Sequence, residues 1–349
     1  MNIFKKLGTD TQGKLIIAGP CSAESEEQVF ETAAQLAGLG VDVFRAGIWK
    51  PRTKPGCFEG VGNIGLTWLK KAGRAFKKPV AVEAASPEHI EKCLDREIDI
   101  IWIGARTTVS PFAVQNIADA LQGTNISVLV KNPINPDLNL WIGAIERLKK
   151  AGIKNIGAIH RGFSSYYKSR YRYNPVWKIP IELRRIAPDL PIICDPSHIC
   201  GNREMIFSVS QKAFDLLFDG LMIEAHVNPE KALSDADQQL VPEELGHILK
   251  KLRYKSSSTE KIKTELSVLR EHIDEIDCRL ISTLGRRSEI SKQIGELKIK
   301  EGIAPFQPDR WNKMIKERIQ YAKKYNLADD FTRILFENIH EESIRCQSN

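Results

Sequence analysis

The chain has 349 residues, a net charge of +7 and an isoelectric point near 8.9, with 42% hydrophobic and 27% charged residues. That suits a globular protein with one large and one smaller domain, and without an aromatic-interleaved basic stripe the positive balance points to small anionic ligands rather than nucleic acid. The start, Met1-Asn2-Ile3-Phe4-Lys5-Lys6-Leu7, lacks a signal-like apolar core, no apolar run is long enough to span a bilayer, and seven scattered cysteines suit a reducing cytosol.

From about residue 14 to 253, short apolar runs alternate with amphipathic stretches. The strand-like runs are Leu15-Ala18, Val41-Arg45, Val80-Glu83, Ile98-Ile103, Ile126-Lys131, Asn155-His160, Pro191-Cys194 and Leu221-Ala225. Between them, segments such as Gln28–Leu39, Pro87–Arg96, Phe112–Leu121, Trp141–Ala151 and Arg203–Phe218 read as helices. Eight strand–helix units in about 240 residues predict a closed (β/α)8 barrel. The missing GxGxxG after the first strand argues against a dinucleotide fold.

The second strand leaves through Arg45 and Lys50-Pro51-Arg52-Thr53. Pro51 fixes φ and biases Lys50 to an extended backbone. This stiff cationic exit is either an anion clamp or a solvated basic loop. The other exits are loaded too: Cys21, Glu83, Arg106, Lys131, Arg161, Asp195 with His198, and Glu224 with His226. A barrel gathers all of these on one face, where catalytic residues sit.

The groups sort by chemistry. Cys21, His198, Glu224 and Asp235 offer one soft, one intermediate and two hard donors for a divalent metal, or Cys21 is simply a buried cysteine. Arg45, Lys50, Arg52, Arg106, Lys131 and Arg161 form a cationic set suited to phosphates and carboxylates, or several of them form structural bridges with Glu83, Asp99 and Asp195.

Gly19-Pro20-Cys21-Ser22, Lys50-Pro51-Arg52-Thr53, Gly104-Ala105-Arg106-Thr107-Thr108, Lys131-Asn132, His160-Arg161-Gly162, Asp195-Pro196-Ser197-His198 and Gly220-Leu221-Met222-Ile223-Glu224 occur in this order. Residues 14–253 thereby resemble the short-chain 3-deoxy-D-arabino-heptulosonate 7-phosphate (DAHP) synthases, which are also related to the octulosonate-phosphate synthases. The resemblance implies condensation of phosphoenolpyruvate with erythrose 4-phosphate. It implies metal binding by Cys21, His198, Glu224 and Asp235, with Mn2+ first and Zn2+, Fe2+ or Co2+ as further fitting ions. Arg106, Lys131 and Arg161 would bind the phosphate of phosphoenolpyruvate, and Arg45 and Lys50 its carboxylate. Arg52 and Thr53 would hold the erythrose phosphate. Lys50, Arg52, Lys131 and His198 are the residues expected to act in catalysis, and Glu83 and Asp195 are candidates for positioning water. Asn132 and Ser197 are expected to support the loops. Octulosonate relatives carry Lys-Ala-Asn-Arg-Ser where this chain has Lys50-Pro51-Arg52-Thr53, so this motif would choose the aldose. Metal-free relatives have asparagine at the position of Cys21.

A polar linker, 254–263, follows the barrel domain of 1–253. After it, Leu266, Leu269, Ile273, Ile276, Leu280 and Leu284 step by 3 or 4, the pattern of an amphipathic helix of some 35 residues. Continuing the stripe reaches Arg287, Ser291, Ile294 and Lys298, which places two cations on the apolar face. They hold an anionic ligand or they snorkel. Pro305 and Pro308 end this helix; further helices are expected over Asp309–Tyr325 and Asp330–Gln347. Three helices so unequal leave the long stripe open, so pairing of two chains is expected, giving a homodimer or a dimer of dimers.

Residues 264–349 form this all-α domain, and 264–347 resemble the all-helical chorismate mutases. The carrying residues are Leu269-Arg270, Ile273-Asp274, Asp277, Arg286-Arg287, Lys298, Asp309-Arg310, Glu342-Ser343 and Gln347. The resemblance implies rearrangement of chorismate to prephenate. Arg270 (from the partner chain) and Arg287 would bind carboxylates and Arg310 would line the site. Lys298 and Gln347 would act on the ether oxygen, with a minor contact from Ser343. Trp311 stands where many members have a glutamate that meets the substrate hydroxyl. The competing reading is a non-catalytic helical module that senses chorismate or prephenate and regulates the barrel. The segment before the first strand is too short for a separate regulatory domain, so feedback control is expected of the helical part. No nucleic-acid or membrane partner is expected.

Overall fold

The computed structural model describes residues 13–50, 56, 58–166, 169–254 and 260–348. They divide into two compact units, 1–255 and 256–349. The first is a closed parallel barrel of β1 (Leu15–Gly19), β2 (Val43–Ala46), β3 (Val80–Ala84), β4 (Ile100–Ile103), β5 (Ser127–Lys131), β6 (Ile156–His160), β7 (Ile192–Cys194) and β8 (Gly220–Glu224). β8 closes on β1, with Leu15 opposite Gly220 and Gly19 opposite Glu224. Each strand overlaps a run expected from its composition.

The helices of this unit are α1 (Glu26–Leu36), α2 (Asn63–Ala75), α3 (Pro87–Asp95), α4 (Ala105–Thr108), α5 (Pro111–Ala120), α6 (Leu138–Lys150), α7 (Lys178–Ile186), α8 (Pro196–Cys200), α9 (Ile206–Asp215) and α10 (Pro242–Lys251). Local chemistry starts several of them. Ser86, Ser110 and Asp195 cap α3, α5 and α8 through their side chains, each followed by proline in the first turn. Two short helices, α4 and α8, sit in the loops after β4 and β7. The strand–helix alternation gave no sign of them, because their few residues carry no period.

Strand alternation explains where the charges go. Leu15, Ile17, Val43, Ala81, Ile100, Trp102, Leu129, Ile159, Ile193 and Met222 fill the barrel interior, while Ile16, Ala18, Phe44, Val82 and Ile101 belong to the layer beneath the helices. Two residues beyond an interior side chain, the chain faces inward again. Those positions are Arg45, Glu83, Lys131, Arg161, Asp195 and Glu224. All but the half-buried Glu83 are buried.

The second unit holds α11 (Glu260–Lys300), α12 (Pro308–Lys323) and α13 (Asp329–Ser348). Gly302, at φ +66, ends α11 in the left-handed conformation that glycine adopts without cost. The C-terminal part of α11 meets α13, as its bonds from Arg287 and Lys298 show. Its N-terminal apolar stripe stays open: Leu269, Ile273, Ile276 and Leu280 are 58%, 56%, 60% and 52% exposed.

Candidate active site at the barrel mouth and a cationic cluster in the helical unit

Donor atoms of Cys21, Glu224 and Asp235 lie within 4.8 Å of one another. Cys21 Sγ is 3.2 Å from Asp235 Oδ2. His198 enters from α8, with Nε2 3.9 Å from Glu224 Oε1 and Nδ1 2.9 Å from Asp195 Oδ2. A proton on Nδ1, shared with Asp195, turns the lone pair of Nε2 toward the cluster. Burial pushes the Cys21 thiol up to about 12, and the Glu224 carboxylate adds to that push. Burial opposes ionisation of Asp235 as well, yet His198 and Arg172 outweigh it and hold the carboxyl below its usual range. One thiol, two carboxylates and an imidazole fit the borderline divalent ions.

Cations surround this cluster. Arg45 Nη1 donates to Glu224 Oε1 at 2.9 Å and its Nη2 to the Cys21 carbonyl at 3.2 Å. Its Nε is buried without a hydrogen-bond partner among the described residues. Lys50 Nζ lies 2.9 Å from Cys21 Sγ and 3.0 Å from its carbonyl. Lys131 Nζ donates to Asp195 Oδ2 at 2.8 Å. Asp195 is held well below the usual carboxylate range: burial works against it, and His198 and Lys131 win. Arg161 lies 3.3 Å over the ring of Tyr173, and its Nη1 is buried without a hydrogen-bond partner among the described residues. Arg106, on α4, is exposed. Glu83 accepts from Trp102 Nε1 at 3.0 Å. Asn132 braces Arg161 by accepting from its backbone N–H at 2.7 Å, and Ser197 accepts from the Glu224 N–H at 2.9 Å. Pro51, Arg52 and Thr53 lie outside the described residues.

Several residues that meet this site were not singled out from the sequence. Gln239 accepts from the Cys21 N–H at 2.8 Å. Gln238 donates to Glu224 Oε2 at 2.6 Å. Arg172 donates to Asp235 Oδ1 at 3.0 Å. The signal was present as Gln238-Gln239 shortly after Asp235, and as an arginine–tyrosine pair in the loop after β6.

In the helical unit, Arg287 and Lys298 are half-buried rather than splayed into solvent. Arg287 Nη1 donates to Ser343 Oγ. Lys298 Nζ donates to Gln347 Oε1 at 3.0 Å and to the Pro305 carbonyl at 2.6 Å. Burial, with Arg318 nearby, lowers the Arg287 pKa. Trp311 stacks on His340 at 4.3 Å, and His340 Nε2 is buried without a hydrogen-bond partner among the described residues. Arg270 and Arg310 are exposed.

A closed (β/α)8 barrel whose C-terminal face joins a thiol–carboxylate donor cluster to buried and half-buried arginines and lysines belongs to the class of parallel barrels that gather charged groups at the strand ends. Within that class, residues 5–261 match the DAHP synthetase I family, and the chain belongs to it. Residues 269–348 match chorismate mutase type II. The chain is similar to a phospho-2-dehydro-3-deoxyheptonate aldolase of Thermotoga maritima, 36% identical over 225 residues, covering 64% of this chain and 64% of that relative. The chain thus matches just under two thirds of that relative's length. It is also similar to a 2-dehydro-3-deoxyphosphooctonate aldolase of Geotalea uraniireducens, 29% identical over 267 residues, 71% of this chain and 94% of the relative. A crystal structure of the Thermotoga maritima DAHP synthase superposes with a TM-score of 0.62 at 31% identity, over 73% of this chain and 70% of that one.

Proposed function

We propose that the barrel condenses phosphoenolpyruvate with erythrose 4-phosphate to DAHP and phosphate, and that the helical unit rearranges chorismate to prephenate. The observation that carries the first activity is that the Cys21 cluster and an Arg161 Nη1 without a hydrogen-bond partner among the described residues both follow strand ends on the C-terminal face of one closed barrel. A divalent metal held by Cys21, His198, Glu224 and Asp235 would supply Lewis acidity toward the aldehyde oxygen. Arg161 Nη1, Lys131 and Arg106 bind the phosphate of phosphoenolpyruvate, while Lys50 and Arg45 meet its carboxylate. Arg52 and Thr53 hold the aldose phosphate. The enol carbon then forms a bond to the aldehyde carbon, water adds at the neighbouring carbon, and the C–O bond to phosphate breaks. Asp195, shared between Lys131 and His198, and Glu83 orient that water. The buried guanidinium and ammonium groups offset the developing anionic charge in a setting where such contacts are strong.

In the helical unit, no nucleophile is needed. Arg287, with Arg270 from a second chain and Arg310, fixes the two carboxylates of chorismate. Lys298 and Gln347 bond the ether oxygen, holding the reactive conformer. The open stripe of Leu269, Ile273, Ile276 and Leu280 supports pairing of two chains. The chain works in the cytosol, and prephenate or chorismate bound by residues 254–349 inhibits the barrel.

One assay tests the proposal. Phosphate release from phosphoenolpyruvate is followed with erythrose 4-phosphate or arabinose 5-phosphate, with and without chelator, and chorismate loss is followed in parallel. Faster turnover with arabinose 5-phosphate would redirect the barrel to octulosonate synthesis. Activity indifferent to chelation removes the metal role, and no chorismate loss leaves the helical unit as a sensor. A chain ending at residue 253 that keeps full activity and full inhibition refutes the feedback role.

A further inference from the structure

Arg172 and Tyr173 are consecutive on the loop after β6; the Arg172 guanidinium lies 5.7 Å from the Tyr173 ring centroid, and the two side chains reach different partners at the barrel mouth. Arg172 Nη1 donates to Asp235 Oδ1 at 3.0 Å and to Gln238 Oε1 at 2.7 Å. With Oε1 accepting, the Gln238 amide must present its Nε2 the other way, and it donates to Glu224 Oε2 at 2.6 Å. One guanidinium therefore decides which carboxylate oxygens are engaged. Those left toward the cluster are Asp235 Oδ2, 3.2 Å from Cys21 Sγ, and Glu224 Oε1, which faces Arg45 and His198. Asp235 sits at φ +48, in the left-handed region that aspartate adopts more readily than most residues with a Cβ. The ring of Tyr173, the next residue, has its centroid 3.3 Å from the Arg161 guanidinium carbon, a contact that restrains where that guanidinium sits.

The backbone fastens this pair on both sides. The Arg172 N–H donates to the Cys200 carbonyl at 3.3 Å and the Tyr173 N–H to the Ile199 carbonyl at 3.2 Å, so both hang on the end of α8, the helix that carries His198. Phe163 and Asn174 exchange both backbone bonds at 2.8 Å, tying the pair to the strand exit that carries Arg161. Two glycines make room. A Cβ on Gly201 would lie 2.5 Å from Arg172 Cβ, and one on Gly162 would lie 2.6 Å from the Tyr173 carbonyl oxygen. The Arg172 side chain is 43% exposed. An ordinary exposed pair would contribute little, but here both partners are pinned before the bond forms, which removes most of the ordering cost.

We propose that Arg172-Tyr173 is a positioning dipeptide that couples cation occupancy at Cys21, His198, Glu224 and Asp235 to anion occupancy at Arg161. This rests on the reading of the barrel mouth given above. A cation that draws Asp235 and Glu224 together sets Arg172 and, through one peptide unit, sets the ring beneath Arg161. The coupling is reciprocal, because it is a property of the two bound states and not of the order of binding.

The test is calorimetric titration of Mn2+ with and without saturating phosphoenolpyruvate, and of phosphoenolpyruvate with and without Mn2+. In the wild-type chain each ligand should tighten the other by the same factor, about 5- to 10-fold. Arg172→Met should weaken Mn2+ about tenfold, as loss of an outer partner of a ligand does, and bring the coupling factor toward one. Arg172→Lys should restore part of the Mn2+ affinity by returning a charge to Asp235. Tyr173→Leu should leave Mn2+ binding alone and lower only the coupling. Gly201→Ala, which displaces Arg172 without removing its charge, should repeat the Arg172→Met result and serves where that variant fails to fold. A wild type that binds both ligands, with variants that match it in affinity and coupling, overturns this inference alone. A wild type that binds no Mn2+ overturns the reading of the mouth and this inference with it.

Discussion

Arg45 Nη1 lies 2.9 Å from Glu224 Oε1 at the barrel mouth, with the two side chains 2% and 0% exposed. Neither charge can turn to water, so each depends on the other. Removing one partner of such a pair costs more than the pair itself contributes, because the remaining charge is left buried. Arg45→Met should therefore lower barrel stability by about 3–5 kcal/mol. Adding Glu224→Gln to Arg45→Met should recover much of that loss. Denaturant unfolding followed by tryptophan fluorescence checks both, since Trp102 lies 4.7 Å from the Arg45 guanidinium. A single variant as stable as the wild type would show that water reaches Glu224.

The pattern behind this pair is legible in the sequence. The alternation of strand residues places Arg45 two positions after Val43, and Glu224 two after Met222, on the interior face. What the sequence could not convey is which charge meets which. Arg45 reaches across to β8 rather than to the neighbouring Glu83, which is taken by Trp102. Such choices depend on side-chain reach across a closed ring and leave no period in the chain. Arg172 was hidden for the same reason: its partner Asp235 is 63 residues away.

His160 follows a different logic. It points outward from β6 into an aromatic nest of Trp141, Phe163, Trp177 and Phe218. Burial, with Arg161 beside it, holds its pKa down to about 3. The folded chain therefore binds this proton only in strong acid, whereas the unfolded chain binds it near pH 6.5. Between those limits the unfolded state holds more protons, so stability falls as pH falls. His160→Phe should remove about 2 kcal/mol of the loss seen between pH 7 and pH 5. Melting curves at the two pH values check this, and equal losses in variant and wild type would show that His160 is charged in the folded barrel.

The aldose preference should rest on Lys50-Pro51-Arg52-Thr53. Lys50 Nζ lies 2.9 Å from Cys21 Sγ, and the proposed role of the Arg52 and Thr53 that follow is to hold the aldose phosphate. Arg52→Ala should raise KM for erythrose 4-phosphate about tenfold or more while changing KM for phosphoenolpyruvate little, since it removes one charge-assisted contact to the aldose phosphate. Steady-state kinetics with each substrate varied decides it. Equal effects on both constants would place Arg52 on the phosphoenolpyruvate side.

In the helical unit the close approach of α11 and α13 depends on Gly295. A Cβ there would lie 2.6 Å from Gln347 Cα, a backbone atom that cannot swing aside. Gly295 sits three residues before Lys298, whose ammonium bonds Gln347 Oε1 at 3.0 Å. A side chain at 295 must therefore push the end of α13 outward and open the Lys298–Gln347 pair. In an exposed helix, alanine would be favoured over glycine by roughly 0.5–1 kcal/mol, so propensity and packing pull in opposite directions here. Gly295→Ala should cut chorismate turnover about 100-fold, comparable to Lys298→Ala, because a displacement of about 1 Å is enough to cost that much. It should leave the barrel rate unchanged, since the barrel's own residues are untouched. Parallel assays of chorismate loss and phosphate release on the same preparation distinguish the outcomes. Full chorismate turnover in Gly295→Ala would mean that α13 can shift without disturbing the pocket, and that the Lys298–Gln347 contact is not what the reaction needs.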